Sequence, residues 1–422
     1  MNGPGTVLVA RLDNAGDVLL AGPAIRAIAA SAREVVLLTG PNGGAAAQLL
    51  PGVHRVLEWR APWIDPEPLP LSRSHVDRLT SLVEKAAPEM AVVLTSFHQS
   101  SLPLALLLRL AGVPRIAAIS EDYPGSLLDV RHIVDETMDV PEAERMLGLV
   151  QAAGFELPPG DDGALAVRRP LPSVHQFTGP PGYVVVHPGT SAPARAWPAE
   201  HHARTVRDLV LAGVRVVVTG DPDEQALTAQ VAGAYGSDLG GVTTFPELAA
   251  VLAGASAAVV ANTGPAHLAA AVGTPVVSLF APVVPAARWA PYRVPVVLLG
   301  DQDAPCRGSR ARVCPVAGHP CLSSVTSEQV VGTVLALVAA QGDGAGRDGA
   351  GQGGAILPLR TVPPEPHGSG PQAPEAHGSK AQRPEAHGPK AHRPEAHRPE
   401  VPGADDPGLG DGGPGGVPEG AR

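Results

Sequence analysis

The sequence predicts an α/β protein: two doubly wound parallel-sheet domains facing each other across a cleft, followed by a disordered tail. Three observations predict this. Short continuous apolar runs alternate with helix-like stretches, the alternation fades between about residues 122 and 181 before restarting, and apolar patterning is lost from residue 341 onward. A strand covered on both faces needs an unbroken apolar run, and strands that alternate with helices pair in parallel. The expected domain bounds are 1–170, 171–340 and 341–422.

In the first domain Thr6–Ala10 (TVLVA) is the opening strand, followed by a loop containing Gly and Asp and a helix over Pro23–Ala32. Glu34–Thr39 is the next strand, closed by the turn Gly40-Pro-Asn-Gly-Gly. Ala91–Thr95 is a third strand and Leu102–Ala111 an apolar helix, with one more helix near Pro141–Ala153. The second domain reads as strands Tyr183–His187, Arg215–Thr219, Ala257–Ala261 and Pro275–Phe280. Helices Pro198–Ala212, Asp223–Ala234, Phe245–Ala253 and Pro265–Val272 lie between or beside them, and Thr326–Ala340 closes the domain. The tail repeats Pro-Glu-Ala-His at ten-residue intervals (374–377, 384–387, 394–397) and has no aromatic residue, too little apolar surface to offset the entropy of ordering.

Composition narrows the function. The chain has 422 residues, 44% hydrophobic and only 3% aromatic, so its cores are built from Ala, Val and Leu. With 31 Lys+Arg against 41 Asp+Glu the formal charge is −10, which leaves no basic surplus for a nucleic-acid partner. Three cysteines suit a reducing compartment, and no apolar run is long enough for a signal peptide or a spanning helix, so a cytoplasmic location is expected.

Ligands of open α/β sheets bind beyond the carboxyl ends of the strands, where helix N-termini converge. Three loops have that placement. The segment Asn262-Thr263-Gly264-Pro265-Ala266-His267 ends a strand and opens a helix, with Gly264 allowing close approach and Thr263 and His267 offering donors to an anion. The segment from His187 to Pro198 offers Thr190, Ser191 and Arg195, two hydroxyls and a guanidinium suited to a diphosphate. The third loop, Arg11-Leu-Asp13-Asn-Ala-Gly16-Asp17, puts Asp17 at the cleft edge, where it is either a functional carboxylate or a helix N-cap. There is neither a G-x-G-x-x-G after the first strand nor a P-loop, which disfavours a classical dinucleotide or nucleoside-triphosphate site.

The blocks RLDNAGDVLLAGPAIRAI (11–28), VVVHPGTSAPARAWPAEHHA (184–203), VVVTGDPDE (216–224) and VVANTGPAHLAAAVGTPVVSLFAP (259–282) together resemble glycosyltransferase family 9, heptosyltransferase-like enzymes of the GT-B fold. The resemblance covers about 1–340 and implies an inverting transfer of a heptose-like or other hexose sugar. The donor would be a nucleotide diphosphate sugar, and the acceptor a hydroxyl of a cell-envelope glycan or lipid-linked saccharide at the inner membrane face. Asp17 then matches the general base, with Asp13 and Gly16 beside it on the acceptor side. Arg195 and the backbone around Thr263 and Gly264 would stabilise the departing diphosphate, while Thr190, Ser191, Glu224, Asn262 and His267 complete the donor site. Asn262 replaces the aspartate common in the family, and Arg195 stands where lysine is frequent.

Neither cofactor nor catalytic metal is implied. Cys306, Cys314, His319 and Cys321 supply the four side chains of a structural zinc site, although their spacing fits no established zinc pattern. Two other functions fit the same fold: a nucleotide-sugar epimerase or hydrolase, and a non-catalytic sugar-nucleotide-binding protein.

Overall fold

The computed structural model describes residues 4–65, 67–344 and 360–362, which fall within one compact unit. The first sheet contains β1 (Thr6–Arg11), β2 (Glu34–Thr39), β3 (Arg55–Glu58), β4 (Met90–Val93), β5 (Ile116–Ile119) and β6 (Val130–His132). Its strands are all parallel, in the order β3-β2-β1-β4-β5-β6. The second sheet contains β7 (Tyr183–His187), β8 (Val216–Gly220), β9 (Ser237–Gly240), β10 (Ala255–Ala261), β11 (Val276–Leu279), β12 (Val296–Leu299) and β13 (Arg360–Val362). It too is parallel, in the order β13-β12-β11-β10-β7-β8-β9.

The central strands are fully buried, as helices on both faces require; β1, β7 and β8 each bury every residue. Strand order reverses at β1/β4 in the first lobe and at β7/β10 in the second. At such a point the connections leave in opposite directions and open a crevice beyond the strand ends. Those four strands therefore decide where a ligand can sit.

Several elements differ from the sequence expectation. The stretch after β1 is not loop alone: helix Ala15–Leu20 precedes helix Gly22–Ala29. Strands β3, β5, β6, β9 and β12 were not expected, nor was helix Arg73–Ala86, whose N-cap Ser72 accepts from the backbone N–H of His75 at 3.2 Å. Pro198 stands at an N-cap rather than inside its helix, which runs Ala199–Leu211. The segment after helix Glu142–Ala152 stays with the first lobe, because Arg26 holds Asp161 at 2.6 Å and the N–H of Arg168 bonds Leu49 O at 2.7 Å.

The tail expectation needs one correction. The closing helix runs Ser327–Gly344, and residues 360–362, expected to be disordered, pair with β12 as an edge strand. The decapeptide repeat and its histidines lie outside the described residues.

Candidate active site

The two crevices open onto one cavity of about 270 Å³. From the first lobe, the segment after β1 contributes Asp13, Asn14, Gly16 and Asp17, and the segment after β4 contributes Ser96, His98 and Gln99. From the second, Ser191 and Arg195 follow β7 and Asn262, Thr263, Gly264 and His267 follow β10; Trp289 and Arg312 complete that wall.

Asp17 lies in the first turn of helix Ala15–Leu20, but the N-cap is Asn14 and no side-chain capping bond forms there. Its Oδ1 instead accepts from Arg11 Nη2 at 3.1 Å, and the carboxylate remains 22% exposed to the cleft. Arg11 is fully buried and is anchored by Ser96 Oγ at 2.9 Å, with Asp13 Oδ2 lying 3.4 Å from its Nε. Asp13 is fixed in turn, for Gln99 Nε2 donates to its Oδ1 at 2.5 Å while Gln99 Oε1 accepts the N–H of Ser96 at 3.0 Å. Burial raises the Asp13 carboxyl above its ordinary range; Arg11 opposes that shift and the charge of Asp17 adds to it. Asp13 thus belongs to the frame that holds Asp17. Gly16 is required by close approach, because a Cβ there would stand 2.8 Å from His267 Cδ2 and 3.2 Å from Gly264 Cα.

The second wall is a different kind of surface. Helix Gly264–Val272 starts at the cleft with Thr263 as an N-cap that makes no side-chain capping bond. Asn262 is 4% exposed, yet neither its Oδ1 nor its Nδ2 has a hydrogen-bond partner. His267 is buried with Nδ1 unpaired, and burial pushes its pKa down to about 4 despite Asp17, so the imidazole is neutral at pH 7. Arg195 Nη1 donates to Asn262 O at 3.1 Å while its Nε is unpaired. Burial lowers the Arg195 pKa, Asp17 raises it and Arg312 lowers it again. Two residues expected here, Thr190 and Glu224, are not among those lining the cavity. Thr190 bonds within its own turn, through Ala192 N–H at 3.3 Å, and Glu224 accepts the N–H of Asp221 at 2.9 Å in a capping box.

The sequence did not assign Ser96, His98, Gln99, Trp289 or Arg312 among the cleft-lining residues, nor Arg11 as the buried partner of Asp17. Position after a central strand was the available signal for Ser96, His98 and Gln99; none pointed to Arg312. The zinc expectation is corrected. Among the described residues no group of three or more His, Cys, Asp or Glu is placed to hold a metal ion. His319 Nε2 is 3.0 Å from Ala194 O, and burial together with Cys306 pushes the Cys321 thiol up to about 12.

Two doubly wound lobes, with a carboxylate on one side of the cleft and anion-binding groups on the other, define a GT-B architecture. Residues 90–318 match glycosyltransferase family 9 (heptosyltransferase), and the chain belongs to that family. Lipopolysaccharide heptosyltransferase 3 of Escherichia coli is 35% identical over 104 residues, 23% of this chain and 31% of that protein. The aligned stretch therefore spans about a third of the curated relative. Among solved structures, E. coli ADP-heptose lipopolysaccharide heptosyltransferase II aligns with a TM-score of 0.61 at 18% identity, over 80% of this chain and 99% of its own. The family 9 glycosyltransferase from Veillonella parvula aligns with a TM-score of 0.63 at 16% identity, over 80% and 98%. At these identities the likeness is one of fold.

Proposed function

We propose that the protein transfers a sugar, a heptose or a related hexose, from a nucleoside diphosphate donor to an acceptor hydroxyl, inverting the anomeric centre. The lobe of residues 1–170 takes the acceptor and that of residues 171–340 the donor. The acceptor hydroxyl loses its proton to Asp17 as its oxygen bonds to the anomeric carbon. The bond from that carbon to the diphosphate breaks on the opposite side, and its electron pair leaves with the phosphate oxygen. Arg195 and the N-terminus of helix Gly264–Val272 stabilise the charge that develops there. Ser191, Asn262, Thr263 and neutral His267 orient the donor, and Thr190 and Glu224 brace the donor loops.

The observation that carries this reading is the opposition of an anchored carboxylate and an anion-binding wall across one cavity. The name of the neighbouring ADP-heptose enzyme favours an ADP-linked sugar, and the relatives favour a cell-envelope glycan as acceptor. No helix among the described residues is long and apolar enough to cross a membrane. We place the reaction in the cytoplasm, against the inner membrane face where the acceptor is lipid-linked.

The test is incubation of purified protein with radiolabelled ADP-heptose and ADP-, GDP-, UDP- and dTDP-hexoses, with and without a panel of saccharide acceptors. Label appearing on an acceptor only when both substrates are present supports transfer. Free or epimerised sugar accumulating at full rate without acceptor indicates a hydrolase or epimerase and refutes it.

A further inference from the structure

The segment between β12 and the closing helix is largely irregular, and it folds back over the donor side of the cleft. Gly308 N–H donates to Pro282 O and Arg310 N–H to Val283 O, each at 2.8 Å, and Ala194 N–H donates to Arg312 O at 2.9 Å. These bonds tie the segment to the end of β11 and to the turn that carries Arg195. Arg312 Nη2 donates to Ser191 O at 3.0 Å, and its side chain lines the same cavity as Arg195. Two guanidiniums therefore share one wall, close enough for the charge of Arg312 to depress Arg195.

Like charges placed together in a partly desolvated cleft repel, unless an anion lies between them. The facing carboxylates fill that role only in part: Asp17 raises Arg195 more than Arg312 lowers it, but Asp17 is bonded to Arg11 and Asp13 to Gln99 on the opposite wall. The same wall carries the unpaired amide of Asn262, 4% exposed, and the unpaired Nε of Arg195. The guanidiniums of Arg195 and Arg312 and the Nδ2 of Asn262 would be satisfied by one ligand bearing two linked phosphates, whose oxygens accept several bonds at once.

We propose that Arg312 is a donor-binding residue, the second cation of the diphosphate subsite, set on the same wall as Arg195 by the segment that follows β12. This rests on the donor reading above. It makes the segment with its three cysteines part of the nucleotide site, delivering a charge from a stretch that is irregular up to the short helix Pro320–Ser323.

The experiment is isothermal titration of the full chain with ADP, GDP, UDP and dTDP, followed by the tightest of these and its nucleoside for wild type, Arg312→Gln and Arg312→Lys. Arg312 is solvent-exposed, so both variants keep the fold. Arg312→Gln should weaken the diphosphate about tenfold and leave the nucleoside within about twofold, while Arg312→Lys recovers most of the loss. If Arg312→Gln binds the diphosphate like wild type, or loses diphosphate and nucleoside equally, the assignment is wrong and Arg312 only tethers its loop. Wild type that binds no nucleoside diphosphate overturns the donor reading as well, which separates the two failures.

Discussion

The two lobes meet the cleft in opposite states. The first presents charges already paired with one another: Arg11 bridges Asp13 and Asp17, and Gln99 and Ser96 hold that frame from behind. The second presents polar atoms with no hydrogen-bond partner on Asn262, His267 and Arg195, whereas in the first the unbonded Arg11 Nε and Asp13 Oδ2 at least face each other at 3.4 Å, leaving Arg11 Nη1 without a partner. An unsatisfied buried polar group costs about 1–3 kcal/mol, so the second wall gains most from a ligand. The contrast assigns the work. A base must be held in one orientation before the substrate arrives, whereas a binding wall has to keep its hydrogen bonds free until then.

The largest effect should come from separating these roles. Asp17→Asn is expected to lower transfer by about 10²–10⁴-fold with nucleoside diphosphate affinity nearly unchanged. Arg195→Gln should lower both. Steady-state rates combined with calorimetry check this, and parallel losses of both quantities in Asp17→Asn would dissolve the distinction between the walls. A second effect concerns what joins the lobes. Arg288, on helix Ala286–Trp289 and 1% exposed, donates to Asp139 Oδ1 at 2.7 Å and to Glu136 Oε2 at 3.1 Å, with Glu142 Oε1 at 3.5 Å. Its guanidinium also lies 4.3 Å from the centre of the Phe97 ring. Arg288→Met leaves Glu142, which has no exposed surface, without part of its counter-charge and should cost about 3–5 kcal/mol in urea unfolding. A loss below about 1 kcal/mol would show that the lobes are held by their apolar contacts instead.

What the sequence made legible follows the same division between interior and edge only in part, since IAAI (β5) and VVLL (β12) are apolar and largely buried yet were not expected. TVLVA, EVVLLT and VVVH are central strands buried on both faces, and an unbroken apolar run is their signature. RVLE, VRH and SDLG form edge or near-edge strands that keep charged or polar groups toward solvent, so their patterning is erased. The loops after β1, β7 and β10 could be read because glycine, proline and hydroxyl residues punctuate them. The loop after β4 has hydroxyl residues but neither glycine nor proline, and its Ser96, His98 and Gln99 enter the cleft only through sheet order. Arg11 reads as the end of an apolar strand, yet it is the buried partner of Asp17. Arg312 arrives by backbone bonds from an irregular segment, which no periodicity announces. Glu224 was expected at a ligand from its place after a strand, and the structure adds a local use that the sequence did not separate from it: its Oε2 accepts the Asp221 N–H in a capping box.

The smallest effect for any single side chain is on the pH dependence of stability, and it too distinguishes the lobes. Three imidazoles in the second lobe are buried, His187, His202 and His267, and burial pushes them down to about 4, 3 and 4. An unfolded imidazole takes up a proton near pH 6.5, while these stay neutral until much lower pH. The unfolded state therefore binds more protons across that window, and stability falls as pH drops from about 6.5 toward 4. At pH 5 the loss is roughly 1–2 kcal/mol for each imidazole. In the first lobe burial acts on carboxyls instead, raising Asp13 and Glu142, whose charged forms are relieved as pH falls. His98 and His132 there are also pushed down, but they are more exposed and contribute less. Glu224 and Asp221, half-buried and raised, offset only part of the loss in the second lobe. Amide exchange at pH 7 and pH 5, corrected for intrinsic rates, should show protection falling further across residues 183–280 than across residues 6–132. Equal losses in the two stretches would mean that buried imidazoles do not set the acid sensitivity of the donor side.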